Sequence, residues 1–342
     1  MRQFSIDRVI GIGAIVVVAI SPLLFGNYFV TTTLTTTLYL GIVAASLIFL
    51  SAYGGMVSLT QVALAGIAGF TYGNLVGTGG SKGMNLGLSP WLGIFLGVLI
   101  ATGVGLLFGL IASRSIGIYF LMITLVYSVI VYYFFGQVTQ LSGFGGVQVN
   151  RLPGVMGDPA THPYRLFYVT FGCALFVYAL IRFVVRTPFG LALQGVRDEP
   201  VRMASLGYAV PIHRTLAFGL ASFIAAIGGL LSAWSDGIIA PSSIDLNHTI
   251  DVLVIAVLGG LLRIEGAWVG AFVFVMINNY IQDYLGSYGD RIRTVVGLIF
   301  LVIVLVAPAG LMGLWERATR SLAGRSGGPA GPSVESAAEQ GV

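Results

Sequence analysis

The chain has 342 residues, 56% of them hydrophobic and only 9% charged, with a mean hydropathy of +0.94. A soluble domain carries roughly 25% charged residues, and this chain has too few to cover a water-facing surface, so the soluble classes are excluded. The net charge of +4 does not indicate nucleic acid, because in a membrane chain the placement of arginines matters more than their sum.

Long apolar runs recur, and they predict an all-α, polytopic membrane helical bundle of about ten transmembrane segments. In chain order the spans are expected near residues 9–26, 32–50, 57–77, 90–112, 117–136, 166–185, 214–235, 248–262, 267–285 and 293–309. Arg2 and Arg8 before the apolar run Val9–Phe25 resemble a secretory signal. No small-x-small cleavage site follows, so the run is expected to stay as a first span. The second span opens on TTTLTTTLYL (Thr31–Leu40), whose hydroxyls can bond to carbonyls one turn back. A helix–helix contact is favoured there over a substrate path. The third and eighth spans are short or polar at one end, the pattern of broken or re-entrant helices. The 48 glycines are about twice the usual share, and they suit helices that associate by close backbone approach. The one cysteine, Cys173, excludes an internal disulfide.

With the N-terminus inside, an even number of crossings leaves Lys82, Arg151, Arg165, Arg291 and Arg293 outside and the other twelve of the 17 basic residues inside. That bias follows the positive-inside rule and places both termini in the cytoplasm. Gln137–Arg165, with SGFGG, Pro153, Pro159 and Pro163, becomes a long periplasmic loop. Residues 1–315 read as one transmembrane domain and 316–342 as a cytoplasmic tail, whose Gly, Ser, Ala, Pro and Glu composition reads as disordered.

The sixth and seventh spans are separated by RTPFGLALQGVRDEPVRMASLG, Arg186–Gly207, within a cytoplasmic loop of 186–213. Asp198 or Glu199 suits an N-cap, Pro200 the first helical turn and Gly207 a C-terminal stop. Met203 and Leu206 are three apart and are expected to share a face with Pro200, while Arg202 points elsewhere. A short, capped, partly apolar helix suits a groove on another protein. A solvated loop that fixes topology by charge fits the composition equally well.

These residues resemble the coupling loop of ABC-importer permeases of the branched-chain amino-acid class, LivM type. Arg186, Pro188-Phe189-Gly190, Ala192-Leu193, Arg197, Glu199, Ala204 and Gly207 fall in register with that family's R-S-x-F-G-R-A-L-x-A-I-R-x-x-E-x-A-A-x-x-x-G pattern, and Val201-Arg202 replaces its small pair. Four further blocks follow the family's order: YGGMVSLTQVALAGIAGF (Tyr53–Phe70), YFLMITL with LSGFGGV (Tyr119–Leu125, Leu141–Val147), VLGGLLRIEGAWVGA (Val257–Ala271) and APAGLMGLW (Ala307–Trp315). The resemblance implies a permease subunit of an ATP-driven importer for branched-chain or related amino acids. Its implied partners are cytoplasmic ABC ATPase subunits, a second homologous permease and an extracytoplasmic solute-binding protein, in a bacterial inner membrane. It implies that Glu199, Pro200, Val201, Met203, Ala204, Leu206 and Gly207 couple to the ATPase.

No enzyme, cofactor or metal site is expected. GTGGSKG (Gly77–Gly83) lacks phosphate-loop spacing, and His162, His213 and His248 are scattered. Between Arg8 and Lys82 no charge occurs, which disfavours an ion-coupled carrier. Gly54, Gly55, Ser58 and Gln61, with Thr124 as a weaker candidate, are the residues expected to line the path. Glycines there would let backbone face a cavity, and Ser58 and Gln61 are expected on one helix face. Helix packing by small residues is the competing reading. Asp245, His248 and Asp251 form either a polar outer mouth or a simple interfacial cluster. A permease of the same architecture for urea, amides or another small polar solute is the alternative function, ahead of a carrier or channel that needs no ATPase.

Overall fold

The computed structural model describes residues 29–78, 83–142, 145–149, 152–154 and 163–285, with isolated stretches between 13 and 26 and between 297 and 313. A π-helical turn at Val30–Thr35 runs without interruption into α1 (Thr36–Gly54). Threonines make the wide turn tolerable. The Thr35 hydroxyl donates to the Val30 carbonyl at 2.9 Å, so an apolar setting leaves it satisfied. The turn is a packing surface for two later helices, α5 (Pro163–Arg186) and α10 (Gly266–Leu285), which agrees with the helix-contact reading of the threonine run.

Between these lie α2 (Gln61–Val76), α3 (Pro90–Ala112) and α4 (Ile118–Gln137). After α5 come α6 (Pro188–Asp198), α7 (Pro200–Ser205), α8 (Val210–Asp236) and α9 (Leu246–Gly259). Six helical stretches among the described residues are long and apolar enough to cross a membrane: Val30–Gly54, α3, α4, α5, α8 and Pro241–Gly259. The protein is an all-α, polytopic membrane bundle. Eight of the ten expected spans coincide with a helix; the other two, 9–26 and 293–309, and the 316–342 tail lie largely or wholly outside the described residues.

The bundle is organised around α8, which packs along α1, α2 and α3, while α1 and α2 touch each other only slightly. Small residues permit this. A Cβ on Gly229 would sit 1.9 Å from the Ala65 carbonyl oxygen of α2, and one on Gly105 of α3 would meet the Ser222 hydroxyl at 1.9 Å. Lipid provides no hydrophobic reason for helices to associate, so van der Waals contact at this range must hold them. Val30–Gly54 is the most buried of the six: 89% of its apolar window is buried, against 22% for α3 and for α5, whose outer faces are exposed apolar surface.

At the end of α8 opposite its Arg214, a two-residue strand β1 (Val147–Gln148) pairs antiparallel with β2 (Ile238–Ile239), Val147 facing Ile239. The loop after α4 is therefore pinned to the chain that follows α8. Asp245 caps α9 by accepting the His248 N–H at 2.9 Å, with the His248 ring nitrogen Nδ1 2.8 Å away. This pair is a helix start, which favours the interfacial reading for Asp245 and His248.

Candidate functional site

The α1–α2 connection is the most unusual stretch of the bundle. Gly54 ends α1, and Gly55 takes the left-handed conformation (φ 65°) that glycine adopts without a Cβ penalty. The N–H groups of Gly55 and Met56 both return to the Leu50 carbonyl, a tight C-terminal stop. Helix resumes only at Gln61. This corrects the expected span 57–77: Ser58 lies in the break and cannot share a helix face with Gln61. The preceding glycine pair stops α1, and residues 56–60 take no regular secondary structure.

Irregular backbone at this depth needs partners, and Thr124 on α4 supplies them. Its Oγ1 accepts the Leu59 N–H at 3.2 Å, and its carbonyl accepts the Thr60 hydroxyl at 2.9 Å. Ser58 Oγ accepts the Thr60 N–H at 3.3 Å. Gln61 faces the Ser46 hydroxyl at 3.0 Å, and that hydroxyl also reaches the Val43 carbonyl at 2.6 Å. Ser58, Thr60, Gln61 and Thr124 are all buried. The structure thus brings together three of the expected path residues, Ser58, Gln61 and Thr124, as an internal polar cluster. The open space lies beside them: a cavity of about 180 Å³ lined by Gly55, Met56 and Val57 from the break, by the Ser115–Gly117 turn and the start of α4, and by Arg214.

The Arg186–Gly207 stretch folds into two helices at a sharp corner. Thr187 caps α6, accepting the Gly190 N–H at 3.4 Å, and Pro188 occupies the first turn. Gly190 is required by close approach, since a Cβ there would lie 2.2 Å from the Val184 carbonyl oxygen. Ala192, Leu193 and Val196 are buried against the bundle. This helix was not expected from the sequence, although the Thr-Pro start and the apolar positions 189, 193 and 196 carry its signal.

From α6 two side chains reach the break. Leu193 lies 4.0 Å from where a Gly54 Cβ would be. The Arg197 stem lies over Gly55, so close that a Cβ there would be 2.7 Å from its Cγ. Arg197 Nη1 donates to the Ala52 carbonyl, one of the carbonyls freed where α1 stops. Its Nε donates to Asp198 at 2.7 Å, which holds the Asp198 carboxyl below the usual carboxylate range.

α7 differs from its expected form. Glu199 occupies the N-cap position but makes no side-chain cap hydrogen bond, and no α7 residue is buried. Gly207 closes the helix in the left-handed region (φ 91°), with its N–H on Ala204 O and the Tyr208 N–H on Met203 O. Met203 and Leu206 do not share an outward face. Met203 turns inward, its sulfur 2.9 Å from where a Gly195 Cβ would stand. Val201 and Leu206 are the exposed apolar residues, at 77% and 66%.

A family profile described as branched-chain amino acid transport system / permease component matches residues 29–307. The chain is similar to the probable branched-chain amino acid transport permease protein LivH of Methanocaldococcus jannaschii, 29% identical over 167 residues, 46% of this chain and 51% of that one. It is also similar to the high-affinity branched-chain amino acid transport system permease protein LivM of Salmonella typhimurium and of Escherichia coli, 23% and 22% identical over 251 residues, 66% of this chain and 58% of each relative. The chain therefore spans between half and three-fifths of the length of these curated relatives. No solved structure matches.

Proposed function

Because the chain belongs to the family of branched-chain amino acid transport permease components, we propose that it is the permease subunit of an ATP-driven importer, forming part of the path for branched-chain or related amino acids. A periplasmic binding protein delivers the solute, a second homologous permease completes the path, and cytoplasmic ATPases engage α7. The chain sits in the inner membrane with both termini and the 186–213 loop in the cytoplasm and residues 137–165 outside. Residues 1–315 form the permease domain and 316–342 the tail.

The reading is carried by one contact: Arg197, one residue before the α6–α7 corner, lies over Gly55 and binds the Ala52 carbonyl where α1 stops. Force applied to α7 passes through Met203 to Gly195 on α6. Through Leu193 and Arg197 it then reaches Gly54 and Gly55. Packed elements move as units because interfaces are bistable and not continuously deformable. The break is the hinge that such a unit would move, and the cavity beside Gly55 is what its motion would open or close.

The test uses proteoliposomes holding the permease with its ATPases and binding protein. Arg197→Met keeps the aliphatic stem over Gly55 and removes the guanidinium. ATP-dependent leucine uptake should fall about tenfold, equivalent to ~1.4 kcal/mol of coupling, while ATPase co-purification is retained. Uptake at the wild-type rate overturns this route. Uptake screened across leucine, isoleucine, valine and urea separates the amino-acid reading from the urea and amide one. Labelling of Leu206→Cys from outside, in a chain lacking Cys173, would refute the topology.

A further inference from the structure

The cavity beside the break contains a cation that no acidic residue among the described ones pairs with. Arg214 is 8% exposed, its Nε is buried without a hydrogen-bond partner, and among the described residues it belongs to no ion pair. An arginine does not escape this by losing its proton, and a buried N–H donor left without an acceptor is costly. A second feature of the same cavity has the same sign. The N-terminus of α4 enters it through Ile118, Phe120 and Leu121. That helix has no acidic residue in its first turn, and its N-cap, Gly117, has no side chain to satisfy the first N–H groups. A 20-residue helix presents those N–H groups and the positive end of its dipole to whatever lies there.

We propose that this cavity is an anion-binding site, taking a carboxylate or a phosphate between the Arg214 guanidinium and the first turn of α4. The volume suits a small group: about 180 Å³ is below the ~300–1,000 Å³ of sites for drug-sized ligands. The rim is apolar, with Ile116 and Ile118 exposed at 66% and 72%, so the anion arrives on a molecule with an apolar body. Two sources carry that chemistry, an amino acid with an aliphatic side chain and an anionic membrane lipid. The site needs no ATPase and stands whether or not the chain is an importer.

Thermal unfolding of the purified full chain in a neutral maltoside detergent tests it, since a ligand that binds only the folded state raises the midpoint. Two matched pairs of probes separate the sources: L-leucine against leucinamide, and dihexanoyl-phosphatidylglycerol against dihexanoyl-phosphatidylcholine. The first member of at least one pair should raise the midpoint and its partner should not. A leucine response identifies a solute carboxylate, and a phosphatidylglycerol response a lipid headgroup. Arg214→Gln should lose the response, Arg214→Lys should recover part of it, and Arg165→Gln, at an exposed site elsewhere, should keep it in full. If Arg214→Gln does not fold, Ile116→Glu decides with Arg214 in place: a carboxylate supplied from the rim should raise the basal midpoint and abolish the response. No response in the wild-type chain to either anion, or an undiminished response in both Arg214→Gln and Ile116→Glu, overturns the proposal.

Discussion

The α1–α2 break and α7 are both short departures from long helix, and the chain treats them in opposite ways. In the break, Ser58 and Thr60 are buried, and Thr124 of α4 takes up both the Leu59 N–H and the Thr60 hydroxyl. In α7 no residue is buried, the N-cap carries no side-chain bond, and two aliphatic side chains stand in the open. Irregular backbone inside a membrane protein must be finished by the protein itself. A six-residue helix too short to be stable alone can be left unfinished where another molecule completes it. The coupling proposal rests on that contrast, and it can be broken from either side.

The largest effect is expected where the inner side of the contrast is backbone against backbone. Gly229→Val would drive a side chain into the Ala65 carbonyl. The cost should exceed the ~1–3 kcal/mol usual for overpacking, because no flexible atom can give way. Loss of the monodisperse peak in size-exclusion chromatography is the expected readout, and a normal peak would mean the helices can separate there.

Thr124→Val comes next. It keeps the shape but leaves the buried Leu59 N–H without its acceptor, at a cost of ~1–3 kcal/mol. The unfolding midpoint should fall. An unchanged midpoint would show that the break is not held by α4.

On the outer side, Val201→Asp should leave the midpoint where it is and weaken ATPase co-purification about thirtyfold, from ~2 kcal/mol of lost burial. Met203→Asp should behave differently and lower the midpoint, because it places a charge under Gly195. If Met203→Asp alone costs ATPase binding, the outward face has been misassigned. The smallest effect belongs to Glu199→Ala. A carboxylate that makes no cap bond should cost no more than ~0.5 kcal/mol, as at an ordinary surface site.

The apolar runs announced the helices because their period and length are local properties, and the gap expected between 50 and 57 brackets the stop at Gly54. What closes the break was not legible. Thr124 lies 65 residues beyond Leu59, and nothing in either segment's pattern says that they meet. Arg197 and Arg214 entered the sequence reading as marks of the cytoplasmic side, since charge beside an apolar run has that meaning without further information. Their separate placements, one over Gly55 and one inside a cavity, depend on which helices α8 draws together. α6 was legible and missed: Thr187-Pro188 and the apolar spacing after it make a helix start, as the punctuation at Pro200 does. Met203 was misplaced for want of one fact, that Gly195 leaves a notch for it.

The central position of α8 also constrains how the protein is made. α1, α2 and α3 leave the ribosome first, yet the surface that joins them, including the Ala65 carbonyl and the face of α3 at Gly105 and Gly109, is filled by a helix that begins at Val210. Until about a hundred more residues have been threaded through the insertion machinery, α2 and α3 can pack on each other, but the sides of all three helices that fit α8 stay unoccupied. Biogenesis must therefore hold an open intermediate for the time needed to translate α4 through α7. A chain released before α8 offers quality-control proteases a bundle with no keystone.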